Sequence, residues 1–211
     1  MDVIIVYYDF YKNMHIAYIL FIFFLFLLSL PLQLIIALLL VILSGWPILF
    51  FQKRVGKDGK IFIMYKFRTM NVGSEEQQKK LQKLNEADGP AFKIHDDPRY
   101  TPFGKFLSHT GLDELPQLMN ILKGDMALFG PRPLPVNEAH KLTRWQQGRH
   151  CIKPGIISPW IMEGYHKKRF DDWMKSDMAY VKNKSFTYDL KLFFRSFLFM
   201  VRLFTVELLS R

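Results

Sequence analysis

The chain has 211 residues, enough for one folded domain with a membrane anchor but not for two full domains. Lysine and arginine outnumber aspartate and glutamate by 29 to 19, and the formal charge of +10 suits anionic partners such as lipid headgroups, nucleotides or nucleic acid. The single cysteine, Cys151, excludes an internal disulfide framework and is typical of a reducing compartment.

A long apolar segment covers residues 16–43, with Ser29 and Gln33 as its polar interruptions. A helix over this span is about 40 Å long at ~1.5 Å per residue, enough to cross a hydrocarbon core of ~30 Å. Pro31 lies near its middle and removes a backbone hydrogen bond, which bends a helix. Two topologies remain open: a kinked helix that spans the bilayer, or a re-entrant helix that bends near Ser29 and returns to the same face. At such a bend Ser29 can bond a freed carbonyl.

Basic residues after this segment predict its sidedness. Lys53, Arg54, Lys57 and Lys60 follow it closely, and the positive-inside rule places them in the cytoplasm. We therefore divide the chain into an N-terminal segment with the membrane helix, residues 1–49, and a cytoplasmic domain, residues 50–211.

Short elements of both types are predicted in the cytoplasmic part. Residues 50–55 and 60–67 read as two strands of a hairpin joined by a turn at residues 57–59. Residues 74–88 read as a charged surface helix. Residues 189–209 predict a helix with a Phe-rich face and a basic flank, either an interfacial helix or a plain core helix. The predicted fold class is α+β and mostly helical.

Two adjacent carboxylates, Asp113 and Glu114, precede Pro116, a residue that fits best in the first turn of a helix. The pair is therefore expected at a helix N-terminus, where unpaired N–H groups and the helix dipole favour negative charge. Two interpretations remain open at this point. Asp113 is an ordinary N-cap, or the pair holds a metal ion that bridges to phosphate.

A series of motifs in fixed order resembles the bacterial sugar transferases, which are monotopic phosphoglycosyl transferases. The likeness extends from the apolar segment to about residue 195 and is strongest around the acidic pair. The motifs are found at residues 51–60, 65–70, 97–104, 112–118, 120–126, 130–134, 149, 153–156, 177, 180–181 and 189–191.

The resemblance implies a reaction. A sugar 1-phosphate passes from a nucleotide diphosphate sugar, usually UDP-linked, to polyprenyl (undecaprenyl) phosphate, and UMP is released. Asp113 matches the family's nucleophile, which forms a covalent aspartyl phosphosugar, and Glu114 matches its dyad partner. The family also implies Mg²⁺ held by Asp113 and Glu114, and a re-entrant helix bent at a Ser-Pro element with which Pro31 aligns.

Basic residues within the matching motifs are the candidates for substrate-phosphate binding. They are Lys66, Arg68, Arg99, Arg132 and Arg149. Arg132 stands between two prolines, a rigid presentation of a planar fork that can grip phosphate through two hydrogen bonds. The alternative for Arg132 is a structural pairing with a carboxylate such as Asp125.

Two departures from the family pattern bear on the substrate. The family often has an Arg-Lys pair shortly before the dyad, and this chain has Ser108-His109. A common Asn-Gly-Arg or Ser-Gly-Arg triplet is replaced by the stretch at residues 158–165. A catalytically impaired membrane adaptor, which binds anionic lipid or a partner glycosyltransferase, is therefore carried as an alternative.

The expected location is the cytoplasmic face of the bacterial inner membrane, with polyprenyl phosphate and a nucleotide sugar as partners. Downstream glycosyltransferases and a second copy of the chain are further candidate partners. A nucleic-acid partner is not expected, because no recognition module accompanies the basic charge and the apolar segment argues against one.

Overall fold

A computed structural model describes residues 2–94, 96–159 and 169–209 of the chain. Helices predominate in these residues, and the strands form two small sheets, so the predicted mostly helical α+β class is confirmed. The α-helices are α1 (Asp2–Ser44), α2 (Ser74–Gln77), α3 (Pro102–Thr110), α4 (Leu118–Leu122), α5 (Val136–Ala139), α6 (Phe170–Asn183) and α7 (Phe186–Leu209). The strands are β1 (Leu49–Val55), β2 (Ile61–Phe67), β3 (Ala127–Phe129) and β4 (Gly155–Ile157).

Helix α1 contains the apolar segment and continues through Pro31. The Ser29 hydroxyl donates to the Phe26 carbonyl at 2.9 Å, and the Gln33 amide donates to the Ser29 oxygen at 2.9 Å. Ser29 therefore bonds a backbone carbonyl of the preceding turn, and Gln33 bonds Ser29 in turn. The carbonyl that loses its helical donor at Pro31 is that of Leu27, four residues earlier, and not the Phe26 carbonyl that Ser29 bonds. Met14–Ser44 is long and apolar enough to cross a membrane, and most of its side chains are not buried in the protein.

Both halves of α1 pack against the rest of the protein. Before Pro31, Ile22 is fully buried in a cluster that includes Phe62 of β2 and Ile121 of α4. After Pro31, Leu40 is fully buried in a second cluster with Leu107 of α3. The folded domain therefore contacts the apolar helix on both sides of its proline.

The hairpin of β1 and β2 is confirmed, with antiparallel pairing from Leu49 opposite Phe67 to Val55 opposite Ile61. Its turn at residues 57–59 includes Asp58 at a φ of 54°, a conformation that Asp adopts more readily than most residues. The hairpin places Arg54 and Lys66 on the same small sheet.

The predicted charged helix over residues 74–88 is wrong for most of its length. Helix α2 ends at Gln77, and a 3₁₀ turn over Gln82–Leu84 follows. The Asn85 side chain accepts from the Lys93 amide at 2.7 Å and donates to the Ala87 carbonyl at 2.9 Å. These side-chain bonds to backbone compete with helix formation, because they satisfy the groups that a helix ladder would use.

The two C-terminal helices, α6 and α7, differ in how much of their surface is buried. In α6, Met174 and Asp177 are fully buried, whereas α7 buries Leu192 but exposes Phe194 and Phe197. An exposed row of aromatic side chains on α7 fits an interfacial helix better than a core helix.

Candidate active site

The acidic pair follows a sharp turn between two helical segments. Helix α3 ends at Thr110, and Gly111 takes a φ of 73°, which a residue with a Cβ rarely adopts. A 3₁₀ helix over Leu112–Gln117 starts immediately afterwards and contains Asp113 and Glu114 in its first turn. The expected position at a helix start is confirmed, and Pro116 lies within the same 3₁₀ helix.

Asp113 is not an N-cap. Gly111 occupies that position, and no side-chain cap bond is made there. The Asp113 carboxylate is 6% exposed and instead lies 3.4 Å from the Lys66 ammonium of β2. Burial raises the pKa of Asp113 to about 6, an effect that Lys66 and Arg132 oppose and Glu114 adds to. A buried carboxylate beside a cation is available for chemistry.

Glu114 pairs with Arg132 through an Oε1–Nη2 distance of 2.6 Å. The Arg132 side chain is 34% exposed, so its guanidinium remains accessible from solvent. The structure therefore brings four of the predicted residues together, in the pairs Asp113–Lys66 and Glu114–Arg132. Arg132 pairs with a carboxylate, as its structural alternative required, but the partner is Glu114 of the dyad instead of Asp125.

Two glycines hold the turn that carries Arg132. Gly130 follows β3 and Gly155 opens β4, and the two strands pair in parallel. A Cβ on Gly155 would lie 2.1 Å from the Gly130 nitrogen, closer than any real contact. The Gly155 amide donates to the Pro131 carbonyl at 3.0 Å, immediately before Arg132. The glycines are therefore required for the close backbone approach that presents Arg132.

All four residues line a cleft of about 1570 Å³. Part of its lining is apolar and comes from α1, β4 and α7, with Leu28, Ile156 and Phe199 as examples. Another part is charged and comes from the segments that carry Arg54 and Lys93. A single cleft thus offers apolar side chains that suit a hydrocarbon chain and charged side chains that suit a charged group, and the carboxylate pair belongs to the same lining.

A family model described as "Bacterial sugar transferase" matches residues 8–203. The chain belongs to the bacterial sugar transferase family. Among the similar proteins are a "Galactosyl transferase CpsE" from Streptococcus agalactiae, 44% identical over 150 residues, and an "Undecaprenyl-phosphate galactose phosphotransferase" from Salmonella typhimurium, 38% identical over 158 residues. A third is a "UDP-glucose:undecaprenyl-phosphate glucose-1-phosphate transferase" from Klebsiella pneumoniae, 36% identical over 172 residues.

The matches cover most of this chain but a minor part of those relatives. They include 71%, 72% and 78% of this chain and 33%, 33% and 35% of the respective relatives. The chain therefore spans about a third of the length of these three proteins. Membership of the family, together with the apolar helix α1, makes it a membrane-associated protein.

Three arginines predicted to bind substrate phosphate bond to other groups of the protein. Arg68 donates to the carbonyls of Ser44, Gly45, Pro47 and Met70 at 2.5 to 3.2 Å. Arg99 pairs with Asp97 at 2.6 Å and donates to the Ser74 carbonyl at 3.1 Å. The guanidiniums of Arg68 and Arg99 are nearly buried and hold backbone segments in place, and both residues also belong to the cleft lining. Their role in phosphate binding stays a prediction.

Arg149 is the third such residue. Its side chain is 1% exposed and pairs at 2.6 Å with Asp177 of α6. The same guanidinium donates to the Arg132 backbone carbonyl at 2.6 Å. Arg149 therefore supports the turn of Arg132 from behind and does not face the cleft as a phosphate ligand.

Sequence reasoning missed several residues of the cleft, including Lys93, Tyr100 and Glu138. Tyr100 hydrogen bonds to Ser108 at 2.9 Å, so a pair of hydroxyls occupies the place where the family often has an arginine. The unusual residue at position 108 was the feature of the sequence that could have pointed to Tyr100, its hydrogen-bond partner. No local pattern marked Lys93 or Glu138. The other departure extends over residues 158–165, of which 160–165 lie outside the described residues.

Whether the cleft can hold Mg²⁺ depends on which oxygen-bearing side chains it offers as ligands. Within the described residues no group of three or more His, Cys, Asp or Glu side chains is arranged to hold one. Mg²⁺ commonly takes one or two carboxylates and completes its shell with substrate oxygens and water. Asp113 and Glu114 supply two such carboxylates in a cleft that has room for a substrate. The residues therefore fit an ion that arrives with, and is partly held by, a diphosphate.

Proposed function

We propose that this chain transfers a sugar 1-phosphate from a UDP-sugar to polyprenyl (undecaprenyl) phosphate at the cytoplasmic face of the bacterial inner membrane. The step would begin the synthesis of a glycoconjugate such as an exopolysaccharide. The observation that carries the proposal is the buried Asp113 carboxylate, set between Lys66 and the Glu114–Arg132 pair in a cleft with both apolar and charged lining. The names of the relatives indicate the sugar, nucleotide and lipid classes.

The transfer takes two displacements at one phosphorus atom. A carboxylate oxygen of Asp113 attacks the phosphorus that bears the sugar, and the bond from this phosphorus to the UMP oxygen breaks, so that UMP leaves with the electron pair. An oxygen of polyprenyl phosphate then attacks the same phosphorus. The bond to Asp113 breaks, the carboxylate is restored, and polyprenyl diphosphate sugar is the product.

The surrounding side chains supply charge and orientation. Lys66 holds the Asp113 carboxylate in place and balances its charge, because the two groups are 3.4 Å apart. Arg132 is exposed enough to bind phosphate oxygens, and Glu114 fixes its guanidinium before substrate arrives. Mg²⁺, when bound by Asp113 and Glu114, would neutralise the negative charge of the diphosphate.

We infer a re-entrant course for α1. The buried residues Ile22 and Leu40 lie on opposite sides of Pro31, and both pack against the same folded domain. A helix that crossed the bilayer would carry one of these positions away from a domain in the cytoplasm. A bend near Pro31 would keep both ends at one face and would hold the cleft at headgroup level.

The covalent route is tested by isotope exchange without lipid acceptor. The full chain in lipid nanodiscs is incubated with labelled UMP and each of a panel of UDP-sugars. Label should enter the correct UDP-sugar, because the first displacement is reversible. Asp113→Asn should abolish exchange, whereas Asp172→Asn, which changes an exposed carboxylate of α6 outside the cleft, should leave it unchanged.

Two results would count against the proposal. Turnover to lipid product without any exchange would exclude the aspartyl intermediate, and an active Asp113→Asn protein would remove Asp113 from its role. If no UDP-sugar released UMP in the presence of undecaprenyl phosphate and Mg²⁺, the membrane adaptor would become the better interpretation.

A further inference from the structure

A second group of charged residues lines the cleft next to Arg132. Arg54 comes from β1, Lys93 from the loop after the 3₁₀ turn, and Glu138 from α5. The charge of Arg132 acts on all three residues: it repels Arg54 and Lys93 and attracts Glu138. Arg132 therefore interacts both with the carboxylate pair and with the charged cluster of Arg54, Lys93 and Glu138.

Lys93 is held in position by its backbone. Its amide donates to Asn85 Oδ1 at 2.7 Å, and its carbonyl accepts from the Glu86 amide at 2.8 Å. The preceding amide, of Phe92, donates to Glu138 Oε1 at 3.4 Å. These bonds fix the direction in which the Lys93 side chain enters the cleft.

Arg54 is fixed to the same turn that presents Arg132. One guanidinium nitrogen donates to the Pro133 carbonyl at 2.7 Å, and another donates to Gln52 Oε1 at 2.5 Å. Arg54 also forms an isolated antiparallel bridge with Pro135. Arg54 of β1 is thereby held beside the segment that carries Arg132, although the two positive charges repel each other.

Burial and the charge of Arg132 disfavour the charged forms of Arg54 and Lys93. Burial and the charge of Arg132 lower the pKa of Lys93 to about 6, while Glu86 partly opposes the shift. Burial and Arg132 also lower the pKa of Arg54 to about 10. Burial raises the pKa of Glu138. A bound anion would stabilise the charged forms of Lys93 and Arg54 and would therefore raise the pKa of both groups.

We propose that Arg54, Lys93 and Arg132 form a subsite for the phosphate of the departing nucleoside monophosphate. The inference rests on the proposed function, because that reaction generates a phosphate beside the reacting phosphorus. When Asp113 attacks, the bridging oxygen takes the electron pair and the leaving phosphate gains negative charge. Arg132 reaches this phosphate from the side of the carboxylate pair, and Lys93 and Arg54 complete its surroundings.

The subsite is tested by titrating UMP into the full chain in lipid nanodiscs with isothermal calorimetry. Lys93→Met should weaken UMP binding by about 10-fold or more, the value of one charge-assisted hydrogen bond. Glu138→Gln keeps an oxygen for the Phe92 amide but removes a negative charge, so it should tighten binding. Lys53→Met changes an exposed lysine of β1 outside the cleft lining and should have no effect.

A second readout separates ligand binding from a structural role. UMP binding to the wild type should be accompanied by proton uptake near pH 7.5, measured in buffers of different ionisation enthalpy, because the phosphate restores the charge of Lys93. Lys93→Met should lose this uptake and should not have a lower melting temperature. A loss of UMP affinity without a loss of stability is the expected signature of a binding residue.

The outcomes distinguish this inference from the proposed function. Unchanged UMP affinity in Lys93→Met, weaker binding in Glu138→Gln, or a wild type with no affinity for UMP would each overturn the subsite. If UMP binds with the expected pattern of variants but no sugar phosphate is transferred, the subsite stands and the proposed reaction is wrong.

Discussion

Arg149 and Asp177 form a buried ion pair with an Nη2–Oδ2 distance of 2.6 Å and side-chain exposures of 1% and 0%. Arg149 also donates to the backbone carbonyl of Arg132 and lies with its guanidinium carbon 5.7 Å from the centre of the Trp173 ring. The pair connects α6 to the turn that carries Arg132. Its contribution to the proposed reaction is therefore indirect, through the position of Arg132.

Removing one member of this pair should destabilise the protein strongly. Asp177→Leu leaves a buried guanidinium charge unpaired, and such losses cost about 3–5 kcal/mol. The double variant Arg149→Met with Asp177→Leu should recover part of this free energy of unfolding, because no unpaired charge remains. Denaturant unfolding of the two single variants and the double variant measures the recovery. Additive losses would show that the pair does not act as a unit.

Arg68 should be required to attach the end of α1 to the domain. It donates to the carbonyls of Ser44, Gly45 and Pro47, which close the helix and begin the connection to β1. Arg68→Lys cannot reach all of these acceptors at once, so the free energy of unfolding should fall by about 2 kcal/mol. Limited proteolysis should cut faster near residues 45–48. Equal protection in both proteins would contradict this function of Arg68.

Arg132→Lys should impair the proposed transfer although it conserves charge. A lysine lacks the planar fork that pairs with Glu114 and can grip a phosphate through two bonds. We expect a decrease in kcat/KM of about 10- to 100-fold, measured by UMP release, because one or two charge-assisted hydrogen bonds are lost. Arg144→Lys, at an exposed position outside the cleft, is the matched control and should be fully active.

The course of α1 predicts the labelling of introduced cysteines. Cys151 is exposed and is first replaced by serine. Lys12→Cys and Lys53→Cys then lie on either side of the apolar segment. In inside-out membrane vesicles an impermeant maleimide should label both positions, because a re-entrant helix returns to the cytoplasmic face. Labelling of Lys53→Cys alone would indicate a spanning helix.

Lys93 should make the stability of the free protein depend on pH. Its pKa in the folded state is about 6, against an ordinary value of 10.5, so the unfolded chain binds more protons between these limits. Stability should therefore rise with pH across this window, and the penalty should be complete below pH 6. Lys93→Met removes the charge and should be more stable than the wild type below pH 6, with the difference vanishing above pH 10.5. Denaturant unfolding from pH 5.5 to pH 9 measures the trend, which Lys53→Met should not change.

Local patterns in the sequence were sufficient for the elements that depend on neighbouring residues. The turn at residues 57–59, the apolar segment around Pro31 and the helix start at Asp113 each follow from side chains within a few positions. The predicted helix over residues 74–88 was wrong for most of its length, because contacts beyond the local pattern decide this segment. Its charged pattern suits a helix, but α2 ends at Gln77, and the Asn85 side chain accepts from the Lys93 amide eight residues further along.

The sequence by itself determined the family, the apolar helix and the pair Asp113–Glu114, because these depend on residue type, order and spacing. Only the tertiary structure decided what each cation does. Arg68, Arg132 and Arg149 carry the same chemical group, yet one closes α1, one faces the cleft and one pairs with Asp177. Burial and partners distant in sequence decide between these roles, because Arg68 and Arg149 are almost completely buried among protein groups, whereas the Arg132 side chain is 34% exposed.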